Sequence, residues 1–351
     1  MPDININGIP VKFPFPEPYV PQINYMSKVI ESLKTSKNAV LESPTGTGKT
    51  LSLLCATLGW VENEKQMQQR CDEIDEADGA SLSAMFEDEN GACCDLNQIP
   101  LIIYASRTHS QLKQAMDELK RSEYKYVKAG LIASREQLCI HPKLTGKTNA
   151  DKMTMCRSLV QKKKCEYKER LDSPLIYPIL KSHENQILDI EELGNIGNKY
   201  KCCPYYLSKE MNKKPEIIFM PYNYLLDPKI RNANQIDLKN AVVIFDEAHN
   251  VEKVCEQSAS TFITSTQIDT AIGNIDHAIN KLNESGSRDI PIEIVRRLHT
   301  TIKALKEYFD DLTLTRTPIN PTGSTTHPGD FIHSILKTVD IDDENVNCTI
   351  E

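Results

Sequence analysis

The sequence predicts an α/β fold built around a mostly parallel sheet. Short apolar runs alternate with stretches of helical periodicity, as in chains whose strands are joined by crossover helices. A glycine-rich turn, Ser43 to Thr50, lies between one such run and a helix, and another run, Val242 to Phe245, ends on two adjacent carboxylates, Asp246 and Glu247. With 351 residues the chain is long enough for two or three packed units.

In order, the chain opens with an extended, proline-rich stretch at Phe13-Pro-Phe-Pro-Glu-Pro. Ile23, Met26, Val29, Ile30 and Leu33 recur at helical spacing and predict a helix from Gln22 to Leu33. Ala39 to Glu42 predicts a short buried strand, and Lys49 to Val61 the helix after the turn. Glu62 to Asp95 is polar, acidic and weakly periodic, which predicts a surface insertion without fixed structure. Pro100 to Ala105 predicts the next strand. Thr108 to Arg121 predicts an amphipathic helix with Leu112, Ala115, Met116 and Leu119 on one face. A basic, cysteine-bearing stretch runs from Ser134 to Leu207. Strands are expected at Glu216 to Met220 and Ala241 to Phe245. Beyond Ser258 the pattern is helical, at Ile268 to Leu282, Ile292 to Leu312 and Phe331 to Val339, with a loop from Thr317 to Gly329. No internal repeat is present.

Composition is that of an ordinary globular protein, 40% hydrophobic and 26% charged. No apolar run approaches the length of a membrane span, and Met1 to Phe15 reads neither as a signal peptide nor as a transit peptide. A cytosolic or nuclear protein is expected. The net charge is −8, but Glu62 to Asp95 alone carries −9, so the remainder is near neutral. Arg135 to Arg170 carries +6, a local patch of the sign that nucleic acid attracts. The eleven cysteines of an intracellular protein favour metal binding over disulfides for any clustered subset.

Ser43-Pro44-Thr45-Gly46-Thr47-Gly48-Lys49-Thr50 occupies the strand–turn–helix context of a phosphate-binding loop. Gly46 and Gly48 let backbone N–H groups turn onto phosphate oxygens, and the following helix presents its positive end to the same anion. Lys49 is expected to reach the β and γ phosphates of ATP, and Thr50 to hold Mg²⁺. Ser43 stands where the general pattern has its first glycine. Asp246, at the carboxyl end of a strand, is the expected second Mg²⁺ ligand. Glu247 is the expected base that positions and deprotonates the attacking water.

These motifs carry a resemblance. Asp246-Glu-Ala-His249 together with the Ser43 to Thr50 loop resembles the superfamily 2 helicases. Tyr104-Ala-Ser-Arg-Thr-His-Ser-Gln111 resembles their DNA-contacting motif. Ser134-Arg-Glu-Gln-Leu-Cys139, Cys203-Pro-Tyr-Tyr-Leu207 and Met220-Pro-Tyr-Asn-Tyr-Leu-Leu-Asp227 resemble the iron–sulfur branch of that superfamily. The resemblance implies that Gln22 reads adenine, that Arg107, Thr108 and His109 grip a single-stranded backbone, and that His249 couples the ATP and DNA sites. It implies a RecA-like first motor domain (1–133 and 208–257), an inserted iron–sulfur domain (134–207) and the start of a helical Arch domain (258–351). It further implies a 5′ to 3′ DNA helicase acting on single-stranded and branched DNA. Such an enzyme serves in repair, in dismantling recombination intermediates (D-loops) and at telomeres, as a nuclear monomer among replication and repair proteins.

By the same resemblance Cys139, Cys156, Cys165 and Cys203 are the ligands of a [4Fe–4S] cluster. They are separated by 16, 8 and 37 residues, so no short Cys-x-x-Cys knuckle singles them out. Cys203 is preferred to Cys202 because it directly precedes Pro204-Tyr-Tyr. Four thiolates also suit one tetrahedral zinc ion. Lys162-Lys-Lys164 is a solvated charge run or, beside such a domain, a DNA contact. A helicase of this class closes ATP between two motor domains, and the second, with its arginine finger, is expected to be absent. The alternative to an active enzyme is therefore a truncated, non-catalytic fragment that binds nucleotide or DNA.

Overall fold

A computed structural model describes residues 3–44, 46–78, 99–176, 178, 181–182, 186–285, 291–316, 320–339 and 341. They form two compact units, Met1–Ala259 and Ser260–Glu351.

The first unit begins with a hairpin that the sequence reading overlooked. Strands β1 (Ile4–Ile6) and β2 (Ile9–Val11) pair antiparallel around Asn7 and Gly8, whose φ angles are 51° and 82°. Two consecutive positive φ values define the mirror-image turn for which Asn-Gly is the preferred pair. Ile6, Ile9, Val11 and Phe13 are buried. The Asn7 side chain donates to the Ser27 carbonyl (2.8 Å), tying the hairpin to helix α1 (Val20–Lys34). Pro21 suits the first turn of α1, where its missing N–H costs nothing. Met26, Val29 and Ile30 face the core as expected, whereas Ile23 is largely exposed.

Ala39 to Glu42 does not form the expected strand: among the described residues no ladder includes it, and Val40 is fully exposed. A short run with three apolar residues becomes a strand only when a neighbouring strand satisfies its backbone groups. Helix α2 starts at Lys49 as expected but runs to Asp78, into the segment read as an unstructured insertion. Between Trp60 and Asp78 there is neither glycine nor proline, and Glu, Gln, Lys, Met and Arg are good helix formers. Ion pairs Lys12–Glu62 (2.6 Å) and Lys65–Glu216 position this extension. The rest of the acidic segment, 79–95, lies outside the described residues.

The main sheet has strand order β4-β5-β3-β6, all parallel: β3 (Leu101–Ser106), β4 (Ala129–Leu131), β5 (Ile217–Pro221) and β6 (Ala241–Phe245). Its central strand β3 is inaccessible from Ile102 to Ser106. Alternate residues serve opposite faces. Ile102 and Tyr104 join the core with α1, α2 and α3 (His109–Arg121), while Ile103 and Ala105 join a second core with Met220, Tyr222 and Leu225. Each large apolar side chain so buried stabilises by about 1.5–3 kcal/mol. Helices cover both faces, as a parallel sheet requires.

The chain between β4 and β5 carries the cysteine-bearing segment: α4 (Arg135–Leu138), α5 (Asn149–Gln161), α6 (Glu166–Leu171), α7 (Ile190–Tyr200) and α8 (Pro204–Met211). Its buried residues Leu138, Leu171, Leu193, Tyr205 and Leu207 belong to the same hydrophobic core as the sheet. Asp189 caps α7 by accepting from the Glu192 N–H (2.8 Å), and Lys113 of α3 pairs with it at 3.0 Å. Helices α9 (Tyr222–Leu226) and α10 (Pro228–Ala233) lead to β6, and α11 (Val251–Ala259) follows it.

In the second unit α12 (Ser265–Ser285) and α13 (Ile292–Asp310) pack antiparallel. Lys306 pairs with Asp269, and one step along the seam His299 meets Asp276 at 3.0 Å. A short α14 (Phe331–Thr338) ends the described chain. No helix of the described residues is long and apolar enough to cross a membrane.

Candidate active site

Gly46 and Gly48 adopt φ angles of 79° and 71°, the left-handed region that favours glycine. The Ser52 N–H bonds the Gly48 carbonyl (3.0 Å), closing the first turn of α2 directly behind the loop. Lys49 Nζ donates back across the loop to the Ser43 carbonyl (3.0 Å), and the Ser43 and Thr47 hydroxyls meet at 2.7 Å. Gln22, only 6% exposed, is committed at both ends of its amide: Nε2 donates to the Thr47 carbonyl (3.0 Å) and Oε1 accepts the Tyr19 N–H (2.9 Å). A Cβ on Gly48 would sit 2.9 Å from Gln22 Nε2. Pro44 is exposed, and Thr45 lies outside the described residues.

The sheet brings the second motif to this loop. Asp246 extends the β3–β6 ladder, its N–H bonding the Ala105 carbonyl (2.9 Å), and the Tyr222 hydroxyl donates to the Asp246 carbonyl. Burial raises the Asp246 carboxyl above the usual range and Glu247 adds to this, while Tyr104 and Lys49 oppose it. Lys49 acts on this carboxylate electrostatically, and Tyr104 lies beside both Asp246 and Thr50. A hydroxyl, a carboxylate and an ammonium are the donor set that a Mg²⁺–triphosphate needs, and the residues present fit it. Glu247 follows with φ 57°, a conformation unusual for a side chain of its size.

Glu247 connects outward through matched donors and acceptors. Asn250 Nδ2 donates to His249 Nε2 (2.7 Å), which leaves the ring hydrogen on Nδ1, facing Glu247 Oε2 at 3.3 Å. Arg107 Nη1 donates to Asn250 Oδ1 (3.2 Å). Arg107 and Thr108 are exposed at the start of α3. The Thr108 hydroxyl accepts the Gln111 N–H (3.3 Å) as the helix cap. His109 turns inward: burial lowers its proton affinity, and its Nδ1 has no hydrogen-bond partner.

The four predicted cysteines come from separate elements. Cys139 ends α4, Cys156 lies on α5, and Cys165 and Cys203 precede the first residues of α6 and α8. Burial raises the Cys139 thiol, and Cys156 and Cys165 act on it electrostatically. Burial pushes the Cys203 thiol up to about 12, opposed by the Tyr205 and Tyr206 N–H groups, and Cys165 and Cys139 act on it as well. The charge acting on Cys202 is instead that of Arg170. Among the described residues no three His, Cys, Asp or Glu side chains close on a single metal ion. Arg135, stacked 4.2 Å over the Tyr205 ring, sets a guanidinium beside Cys156. Four thiols with a cation and helix N–H groups nearby fit an anionic metal–sulfur group.

Residues 104–268 match the DEAD_2 family. The whole chain is 41% identical, over 371 aligned residues, to the regulator of telomere elongation helicase 1 homolog of Anopheles gambiae. The chain is thus similar to DEAD_2 helicases along its length. It spans 37% of that relative's length. The homolog of Drosophila virilis is 43% identical over 96% of this chain and 34% of its own length. A solved structure described as "Truncated XPD" covers 93% of this chain and 76% of itself at a TM-score of 0.47 and 19% identity.

The DEAD_2 match includes Arg107 to His109, the four cysteines and Asp246 to His249, whereas Gln22 and the phosphate loop precede it. Of the side chains that the structure brings to these sites, Asn250 had no role in the sequence reading, although it directly follows the carboxylate box, and Tyr104 and Arg135 figured there only as members of longer motifs. What Tyr104 faces depends on which strand lies beside it.

Proposed function

We propose that this chain is the nucleotide-binding and strand-binding part of an ATP-dependent 5′ to 3′ DNA helicase that carries a [4Fe–4S] cluster. The reading rests above all on the phosphate-binding turn with its Gly46 and Gly48 φ angles, together with Asp246 at the end of β6, on which Lys49 acts and which Tyr104 links to Thr50. In it, the loop N–H groups and Lys49 hold the phosphates, and Thr50 and Asp246 hold Mg²⁺, which when bound draws charge from the phosphate oxygens. Glu247 takes a proton from the attacking water. Gln22 reads adenine by exchanging one of its two amide bonds for the base.

Arg107 with Thr108 binds the single-strand backbone, while His109, which the resemblance also assigns to it, turns inward here. The link Arg107–Asn250–His249–Glu247 supports a coupling role for His249, because a phosphate that draws Arg107 away alters the partner holding His249. Cys139, Cys156, Cys165 and Cys203 hold the cluster. The preference for a cluster over one zinc comes from the resemblance of the motifs around these cysteines. Residues 1–133 with 208–257 are assigned to the first motor domain, 134–207 to the cluster domain and 258–351 to an Arch-like domain.

By the resemblance of its motifs, the activity is assigned to nuclear DNA repair and disassembly of recombination intermediates, and, in line with the relatives' name, to telomere maintenance. To these 351 residues alone the reading assigns binding without unwinding. In a protein of full family length carrying this sequence, ATP turnover is expected only with single-stranded DNA, and Lys49→Ala should abolish it. Turnover by that variant at the unmodified rate would overturn the assignment.

A further inference from the structure

Tyr104 is wholly buried, and its hydroxyl closes no hydrogen bond of good geometry, although Thr50 and Asp246 both stand near enough to act on it. Its ring is held by the core of the sheet, with the Phe219 ring 5.3 Å away. A buried hydroxyl without a partner destabilises a fold, and phenylalanine would fill the same space without that penalty. The orphan sits at a particular place. Tyr104 pairs with Ile244 across the parallel ladder, and Asp246 lies two residues further along, so Tyr104 and Asp246 share one face of the sheet. Thr50 and Asp246 are the polar side chains that act most directly on the hydroxyl.

We propose that Tyr104 is a positioning residue for the divalent cation, its hydroxyl accepting from Thr50 and donating to Asp246. This rests on the nucleotide reading above. When the Thr50 oxygen turns a lone pair to a cation, its hydrogen must find an acceptor elsewhere in a buried site. When one Asp246 oxygen does the same, the other is free to accept. A phenol between them serves both needs at once, since its oxygen takes the Thr50 hydrogen and its own hydrogen goes to Asp246. The two bonds have a single sense around the site, and together they fix both ligands with lone pairs facing inward. Hydrogen bonds of this outer kind orient metal ligands and tighten binding. Without a cation, Thr50 and Asp246 are free to turn, and the hydroxyl is left as the structure has it.

The test uses this chain and the Tyr104→Phe variant, with a fluorescent ATP analogue titrated with Mg²⁺. Melting without nucleotide should be unchanged or higher in the variant, and analogue binding in EDTA should be unchanged. The Mg²⁺ concentration at half-maximal binding should rise about tenfold. Tyr25→Phe is the control: Tyr25 also lies near Asp246, but its hydroxyl has no part in the proposed bonds, so the Mg²⁺ midpoint should stay. An unshifted midpoint in Tyr104→Phe, or equal shifts in both variants, overturns the proposal while leaving the nucleotide site standing. Absence of any Mg²⁺-dependent binding by the unmodified chain removes the nucleotide reading and this proposal with it. Should Tyr104→Phe fail to fold, the ¹³Cζ tyrosine spectrum of the unmodified chain decides. One buried tyrosine signal should move with Mg²⁺ and nucleotide together, and not with nucleotide in EDTA; no movement refutes the idea.

Discussion

Replacing Gly48 by alanine tests how the phosphate loop is held. Gly48 has φ 71°, and a left-handed backbone costs a non-glycine residue about 1–2 kcal/mol. The new methyl would also stand 2.9 Å from Gln22 Nε2 and push it off the Thr47 carbonyl. Stranding that buried amide adds about 1–2 kcal/mol. The loop can relax locally, so the cost should register in nucleotide affinity, which needs the native loop, more than in global melting. The expected weakening is about 30-fold to 1,000-fold, from a sum of about 2–4 kcal/mol. In a Gln22→Ala background the clash is gone and only backbone strain remains, so Gly48→Ala should then cost about 5-fold to 30-fold. A double-mutant cycle read by fluorescent ATP analogue binding should show about 1–2 kcal/mol of coupling. Additivity within about 0.5 kcal/mol would show that Gln22 does not brace the loop.

Two further outcomes concern the cysteine-bearing segment. Purified protein should hold about four irons per chain; Cys203→Ser should lose them and Cys202→Ser should keep them, as measured by metal analysis. One zinc per chain, or the reverse pattern, would refute the ligand set. Asp189→Ala should destabilise the chain by about 1–2 kcal/mol at pH 7 in urea titrations, because it removes the α7 cap and the Lys113 pair. Burial raises the Asp189 carboxyl, but the Glu192 N–H and Lys113 outweigh it and the net shift is downward. A lowered carboxyl stabilises above its unfolded value, about 3.9, and this is lost as pH falls through the folded value. The gap between variant and unmodified chain should therefore close below about pH 4. A gap independent of pH would locate the effect in packing.

The parts of the fold legible in the sequence were those with a repeating pattern or a demanding backbone. Leu101 to Ser106, Ile217 to Pro221 and Ala241 to Phe245 are continuous apolar runs, and each is a strand within a residue or so of the expected bounds. Strand β4 is only Ala-Gly-Leu, too short for any period, and takes its form from β5 alongside. Ala39 to Glu42 errs the other way: the apolar run is there, but among the described residues no neighbour pairs with it. The Asn7-Gly8 turn was readable and overlooked. At the site, Gly46, Gly48, Lys49 and the carboxylate pair were legible because phosphate and metal chemistry restrict residue type and spacing together. The roles of Tyr104 and Arg135 were not, since each acts on residues distant in sequence, and Asn250 joins its neighbour His249 to the distant Arg107 only through the loop geometry.

Helix α2 joins the phosphate loop to the acidic segment without a break, and Lys49 and Thr50 are its first two residues. Its 30 residues make a rod about 45 Å long. The near half is wedged in the core by Leu51, Leu54, Leu58 and Val61. The far half continues past the last of these anchors. A tilt of the whole rod by about 5° would carry its far end through about 4 Å. Four buried anchors next to the loop and the Lys65–Glu216 pair beyond them oppose such a tilt, so α2 holds Lys49 and Thr50 against a fixed support.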